Sequence, residues 1–240
     1  MRLISVLAAC AAIAVAAPAS ATEVFSDGFE GDAPGIGLTT LTNWVITSGN
    51  NPTGGTVDIV GAVNPYGITV TSPASGNVLD LDGTPGPAAI YSKLAYNFNA
   101  GDLVTFSYDV GGSQRDAASD VFVAGMFVDP ALVGLFSGTG FTSSPGILNN
   151  NQLSGSLLLN GLGTPFTTSS ISFRALGAGS LKMAFYTTSG DNVGPLVDNV
   201  RLDIAAVPEP ATWALMLFGF AFVGGAMRSR RKPHLAARYA

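Results

Sequence analysis

The sequence predicts an all-β protein, a two-sheet jelly-roll sandwich, with an apolar helix at each end of the chain. Three observations carry that prediction. Between residues 22 and 207, Gly, Ser, Thr, Asn and Pro recur at short intervals, and the runs between them are rich in Val, Ile, Phe, Tyr and Thr. Those runs alternate with period two: Val104, Phe106, Tyr108 and Val110 fall on one side of a strand, and Leu103, Thr105, Ser107 and Asp109 on the other. No part of the region sustains a helical pattern over three turns, which leaves sheet on sheet as the layer architecture.

At the start, Met1 and Arg2 form a short positive region, Leu3 to Ala17 an apolar one, and Ala19-Ser20-Ala21 a small-x-small cleavage site. Residues 1–21 therefore read as a secretory signal peptide cut by signal peptidase after Ala21. The rival reading is a lipoprotein signal at Leu7-Ala8-Ala9-Cys10. It would end the apolar region after seven residues and leave no hydrophilic tether.

Residues 22–204 read as the sandwich, with around ten strands. Besides the alternating strand at 103–110, strands are expected at 44–47, 56–60, 67–71, 78–81, 89–98, 121–128 and 196–204. Ile171, Phe173 and Ala175, and again Leu181, Met183 and Phe185, mark two more inward faces. The Gly/Ser/Asn-rich stretch 137–152 is longer than a plain connector and reads either as a surface loop or as the rim of a binding site. Neither a repeat nor a Thr-x-Thr ladder is present.

From Thr22 to Val207 there are fifteen acidic residues against five basic ones (Lys93, Arg115, Arg174, Lys182 and Arg201), a net charge of −10. That balance argues against nucleic acid, whose phosphates it would repel, and suits cations, neutral sugars or simple solubility. No cysteine follows Cys10, so the exported chain has no disulfide and is stabilised by its own core. The single histidine, His234, lies in the tail. Without His or Cys, the region loses the Ser-His-Asp and Cys-His nucleophilic sites and the usual zinc sites.

Residues 205–240 form a distinct tail. Seventeen uncharged residues, 211–227, make a helix of roughly 26 Å, slightly short of a hydrocarbon core of about 30 Å. Trp213 stands where an interfacial aromatic would, and the basic end, 228–240, opens with Arg228, Arg230 and Arg231 and marks the cytoplasmic side. Pro208 and Pro210 bias the preceding segment towards an extended, readable form. The order Pro208-Glu209-Pro210, two residues, Trp213-Ala214, apolar helix, arginine cluster resembles the PEP-CTERM sorting signal of Gram-negative bacteria. That resemblance implies recognition and cleavage by a membrane enzyme, exosortase, with passage from the inner membrane to the envelope, surface or extracellular matrix.

Within the core, carboxylate pairs are the catalytic chemistry left open. Asp80 and Asp82, two apart on a strand, would share a face, as a glycosidase pair must, or would line a solvated face opposite Leu79 and Leu81. Asp198 shares the parity of Val200, Leu202 and Ile204, which places it inward. An inward carboxylate needs a partner. Backbone N–H groups are one choice, and a calcium ion shared with Asp27, Glu30 and Asp32 of an N-terminal loop is the other. For sugar stacking the candidates are Tyr66, Tyr91 and Tyr96, with Trp44 read as core.

Phe29-Glu30-Gly31, Asn43-Trp44-Val45, Val57-Asp58-Ile59, Leu79-Asp80-Leu81-Asp82-Gly83, the 104–109 strand and Val197-Asp198-Asn199-Val200 look like the galactose-binding-like jelly rolls of bacterial surface and plant cell-wall proteins. That family implies a β-sandwich that often holds calcium and often binds glycans. The function expected is an exported, non-catalytic adhesive or polysaccharide-binding protein. The alternatives are a carboxylate-dependent glycan hydrolase or lyase and a structural biofilm component without a ligand.

Overall fold

The computed structural model describes residues 21–47, 55–61, 63–116, 118–128, 154–160, 164–187, 191–206 and 210–229; for 154–160, 210–214 and 229 it describes the backbone alone. The chain divides into two units, Ala21–Val207 and a second made of its two ends.

The described residues of the first unit form thirteen strands: β1 (Ala21–Asp27), β2 (Gly35–Leu38), β3 (Trp44–Thr47), β4 (Val57–Val60), β5 (Val78–Asp80), β6 (Ala89–Ser92), β7 (Tyr96–Phe98), β8 (Leu103–Gly111), β9 (Ser119–Val128), β10 (Ser154–Asn160), β11 (Thr167–Arg174), β12 (Gly179–Thr187) and β13 (Leu196–Ala205). The larger sheet runs β11-β8-β13-β5-β4-β2, with β1 also on β13; the smaller runs β10-β9-β12-β6-β3, with β7 also on β12. Neighbours pair antiparallel, and the two sheets make a jelly-roll sandwich.

The period-two pattern fixes which side of each strand meets the opposite sheet. Val104, Phe106, Tyr108 and Val110 of β8 and Leu181, Met183 and Phe185 of β12 are all buried in the main core. Its centre is aromatic. Phe185 lies 5.6 Å from Trp44, 5.3 Å from Phe106, 5.3 Å from Tyr108 and 5.6 Å from Phe122 between ring centroids. Such pairs add roughly 0.5–1.5 kcal/mol each beyond the area they bury. Without disulfides, this interlocking of rings from both sheets is what holds the layers together.

Several elements differ from expectation. No strand forms at 67–71, where Gly67 turns the chain at φ +74°. The strand expected at 89–98 is broken into β6 and β7 by Lys93–Ala95. Asp82 lies beyond the end of β5, and Asp27 closes β1 instead of lying in a loop. β1, β2 and β10 are strands that the sequence does not predict, because their alternation is weak or short. The long stretch at 137–152 falls outside the described residues.

A second, smaller core covers the outer face of the larger sheet. Ile68, Ala74 and half-buried Val70, from the segment between β4 and β5, pack on Val60, Val78, Leu196 and Phe166. This cover decides where the carboxylates end up.

In the second unit, α1 spans Pro210–Ser229. Pro210 is its first residue, where a proline's missing N–H costs nothing. It therefore begins the helix and is not part of an extended stretch. Leu215, Leu217, Phe218, Phe220, Phe222, Val223 and Met227 are exposed, with Arg228 in the last turn. The apolar helix falls where expected, yet among the described residues no helix is long and apolar enough to cross a membrane.

Candidate functional site

The outer face of the larger sheet is unusually acidic. Asp58 on β4 pairs across to Asp80 on β5, and Asp198 on β13 pairs across to Asp109 on β8. All four are buried. They face outward because Ile59, Leu79, Val197 and Val110 beside them face the main core. For Asp198 this overturns the expectation of a shared face with Val200, Leu202 and Ile204. A bulge between Asp198 and Arg201 breaks the alternation, with Asn199 at φ +46°, a conformation asparagine tolerates.

Each carboxylate is held by donors. Asp58 accepts the Gly37 N–H at 2.7 Å and the Thr84 N–H at 3.1 Å. Asp109 accepts Thr168 Oγ1 at 2.5 Å and Asn199 Nδ2 at 2.8 Å. Asp198 accepts the Ser75 N–H at 2.8 Å and the Asn199 N–H at 2.6 Å. Burial pushes the Asp198 carboxyl up to about 6; these two N–H groups oppose the shift, and the charges of Asp109 and Glu30 add to it.

All four residues expected to share a calcium ion hold other parts of the chain in place. Asp27 accepts the Phe29 N–H at 2.8 Å, Asn43 Nδ2 at 3.2 Å and Trp44 Nε1 at 2.8 Å. Glu30 accepts the Asn77 N–H at 2.8 Å, and Asp198 is bonded as above. Asp32 accepts both the N–H and the hydroxyl of Thr42 through Oδ1, and its Oδ2 is buried without a hydrogen bond. Among the described residues, no three of these four have carboxylate oxygens within 4.8 Å of one another, although the charge of Glu30 acts on Asp198. Among the described residues, one group of three carboxylates has oxygens within 4.8 Å of one another: Asp82, Asp120 and Asp191. Three carboxylates at that spacing suit a hard cation such as calcium. Sequence spacing gave no hint of the grouping, because the three come from the turn after β5, from β9 and from the loop before β13.

Asp80 and Asp82 are both buried, so the solvated face expected for them is not there. The Gly194 Cα side lies so close to Asp82 that an added Cβ would sit 2.3 Å from its Cγ. Asp80 Oδ1 accepts the N–H groups of Asp82 (3.0 Å) and Gly194 (3.3 Å), and Oδ2 pairs with Arg115 at 3.0 Å. Burial raises the Asp80 carboxyl well above the usual range; Arg115 opposes this, while Asp82 and Asp58 reinforce it. No sequence signal marks Arg115, which sits in an irregular loop after β8.

The three candidate tyrosines are not brought together. Tyr96 packs against the main core with its ring 5.6 Å from Phe25. Tyr66 lies in the cover of the larger sheet, half-exposed, with the Arg115 guanidinium 5.4 Å from its ring centre. Tyr91 stands on the outer face of the smaller sheet. There β12 turns Lys182, Ala184 and Tyr186 outward, and Ala184 is paired with Tyr91. Tyr91 rests on buried Phe127 and Ala184, Tyr186 lies diagonally beside it, and Lys182 Nζ sits 5.1 Å from its ring centre. The alternation that put Leu181, Met183 and Phe185 inward also implied this outward set.

Of the tail residues, Trp213 and Ala214 lie within α1 and Arg228 in its last turn; Pro208, Glu209, Arg230 and Arg231 fall outside the described residues, as does Ala19. Ala21 is the first residue of β1, paired with Ala205.

No curated protein matches the chain. Among solved structures it is similar to an apo-form cyclase from Fischerella sp. (14% identity, 79% of this chain and 99% of that one, TM-score 0.52). It is also similar to a cyclase from Fischerella sp. TAU in complex with 4-(1H-indol-3-yl)butan-2-one (15%, 76% and 96%, TM-score 0.50). At these identities the likeness is one of fold. The CBM22-1 xylan-binding domain of Paenibacillus barcinonensis Xyn10C is a more distant neighbour (12%, 80% and 100%, TM-score 0.41). Residues 206–232 match the PEP-CTERM protein-sorting motif, so the chain carries that signal and is exported and directed to the cell surface.

Proposed function

We propose that the protein is a non-catalytic, glycan-binding component of the envelope or extracellular matrix of a Gram-negative bacterium, and that exosortase processes its tail after signal peptidase removes residues 1–21. The tail helix holds the chain at the membrane until that cut. The observation that carries the binding reading is the Tyr91 platform: a half-buried ring braced by Phe127 and Ala184, with Tyr186 as its diagonal neighbour on the sheet surface. Aromatic rings fixed on a sheet offer apolar faces to pyranose rings at little entropic cost. In affinity electrophoresis of the full-length chain in non-ionic detergent, a polysaccharide should retard the protein, and Tyr91→Ala should abolish the retardation with the fold intact. Unchanged mobility with every polysaccharide would refute the binding reading.

The sorting reading is tested by Pro208→Ala with Glu209→Ala, which should leave uncut protein in the inner membrane; normal processing would oppose it. A structural calcium ion belongs to the same proposal. Its ligands would come either from the Asp82, Asp120 and Asp191 group or from the loop where Asp32 keeps an unbonded oxygen.

A second reading, a carboxylate-dependent hydrolase, is favoured by one feature: Asp80 is held towards its protonated form beside Asp82. Release of reducing ends that is lost in Asp80→Asn would establish it.

A further inference from the structure

The binding reading leaves open which chemical class of glycan the Tyr91 face accepts, and the charges around it supply an answer that rests on that reading. Two of the five basic residues in the acidic region 22–207 meet here. Lys182 Nζ donates to the Lys93 carbonyl at 2.8 Å, and Lys93 Nζ donates to the Leu41 carbonyl at 2.7 Å. The backbone at Lys93 is itself fixed, its N–H donating to the Asn43 carbonyl at 2.9 Å. Among the described residues neither lysine forms an ion pair, whereas Arg115 and Arg201 both do. In a domain with three acids for every base, two ammonium groups are held here by main-chain carbonyls and not by carboxylates.

The ring face matters too. Lys182 already lies over Tyr91, where the ring face attracts its ammonium. A neutral pyranose stacking there must displace the ammonium and gains nothing for it. An acidic sugar supplies that ammonium with a carboxylate or sulfate as it stacks.

We propose that the Tyr91–Lys182–Lys93 surface recognises an acidic polysaccharide, with the tyrosine contacting the sugar ring and the two lysines its anionic groups. The test is binding of the full-length chain, in non-ionic detergent at low salt, to polygalacturonate, dextran sulfate, unmodified dextran and duplex DNA. One or both acidic glycans should bind, more weakly as salt rises, and which of the two binds distinguishes carboxylate from sulfate. Lys182→Gln and Lys93→Gln should each weaken binding roughly tenfold, as loss of a charge-assisted contact does, while Lys182→Arg keeps it. Unchanged thermal midpoints would show that the variants are folded. Equal binding of unmodified dextran, insensitive to both lysine variants, would overturn this inference and leave the binding reading standing. Binding to none of the three glycans would overturn this inference, and the binding reading falls with it only if no other polysaccharide retards the protein. DNA bound as tightly as the acidic glycans would overturn it in favour of a nucleic-acid partner.

Discussion

Arg115 Nη2 bridges Asp80 Oδ2 at 3.0 Å and the Asn192 carbonyl at 2.9 Å, and so ties the loop after β8 to β5 and to the loop before β13. Asp80 is buried, and the arginine side chain is mostly so. Removing one partner of such a pair strands the other charge, which typically costs about 3–5 kcal/mol. Arg115→Met should therefore destabilise the domain by roughly that much at pH 7. At a lower pH such as 5 the loss should be smaller, because burial already pushes the Asp80 carboxyl towards its neutral form, which needs no counter-charge. Denaturant midpoints at the two pH values check this; an equal loss at both would show that the charge is not what matters.

Asp198 gives a pH dependence with a definite sign. Its folded-state value of about 6 is above the unfolded value near 4, so the folded protein binds more protons between them. The stability this contributes is fully present below about pH 4 and is lost as pH rises through about 6. The thermal midpoint of the parent minus that of Asp198→Asn should therefore shrink by a few degrees from pH 4 to pH 7. A flat or growing difference would contradict the assignment.

Trp44 stands in the aromatic core with its indole N–H on Asp27, at 2.8 Å. Asp27→Ala would leave that donor buried and free the Phe29 and Asn43 contacts, at a cost of about 1.5–3 kcal/mol. In a Trp213→Phe background Trp44 is the sole tryptophan, so a red-shifted emission maximum should accompany the lower midpoint. An unshifted spectrum would mean that the indole finds another partner.

For calcium, the expected outcome is a midpoint that falls in chelator and returns with Ca²⁺. Loss of that response in Asp82→Asn with Asp191→Asn places the ion at the end of the sandwich, and loss in Asp32→Asn places it by the N-terminal loop. No effect of chelation removes the ion from the proposal.

Much of this protein was fixed locally. Period two set the inward faces of β8, β11 and β12, punctuation by Gly and Asn set their ends, and the tail order from Pro208 to Arg231 marked an address, because each depends only on residues near one another in the chain. Tertiary structure decided the rest. A single bulge at Asn199 moved Asp198 to the outer face, and the covering segment between β4 and β5 buried carboxylates that alternation alone would have left in water. The pairing of Arg115 with Asp80, the grouping of Asp82, Asp120 and Asp191, and the meeting of Lys93 with Lys182 join residues up to 109 positions apart. Strand order, which no local pattern encodes, is what brings them together.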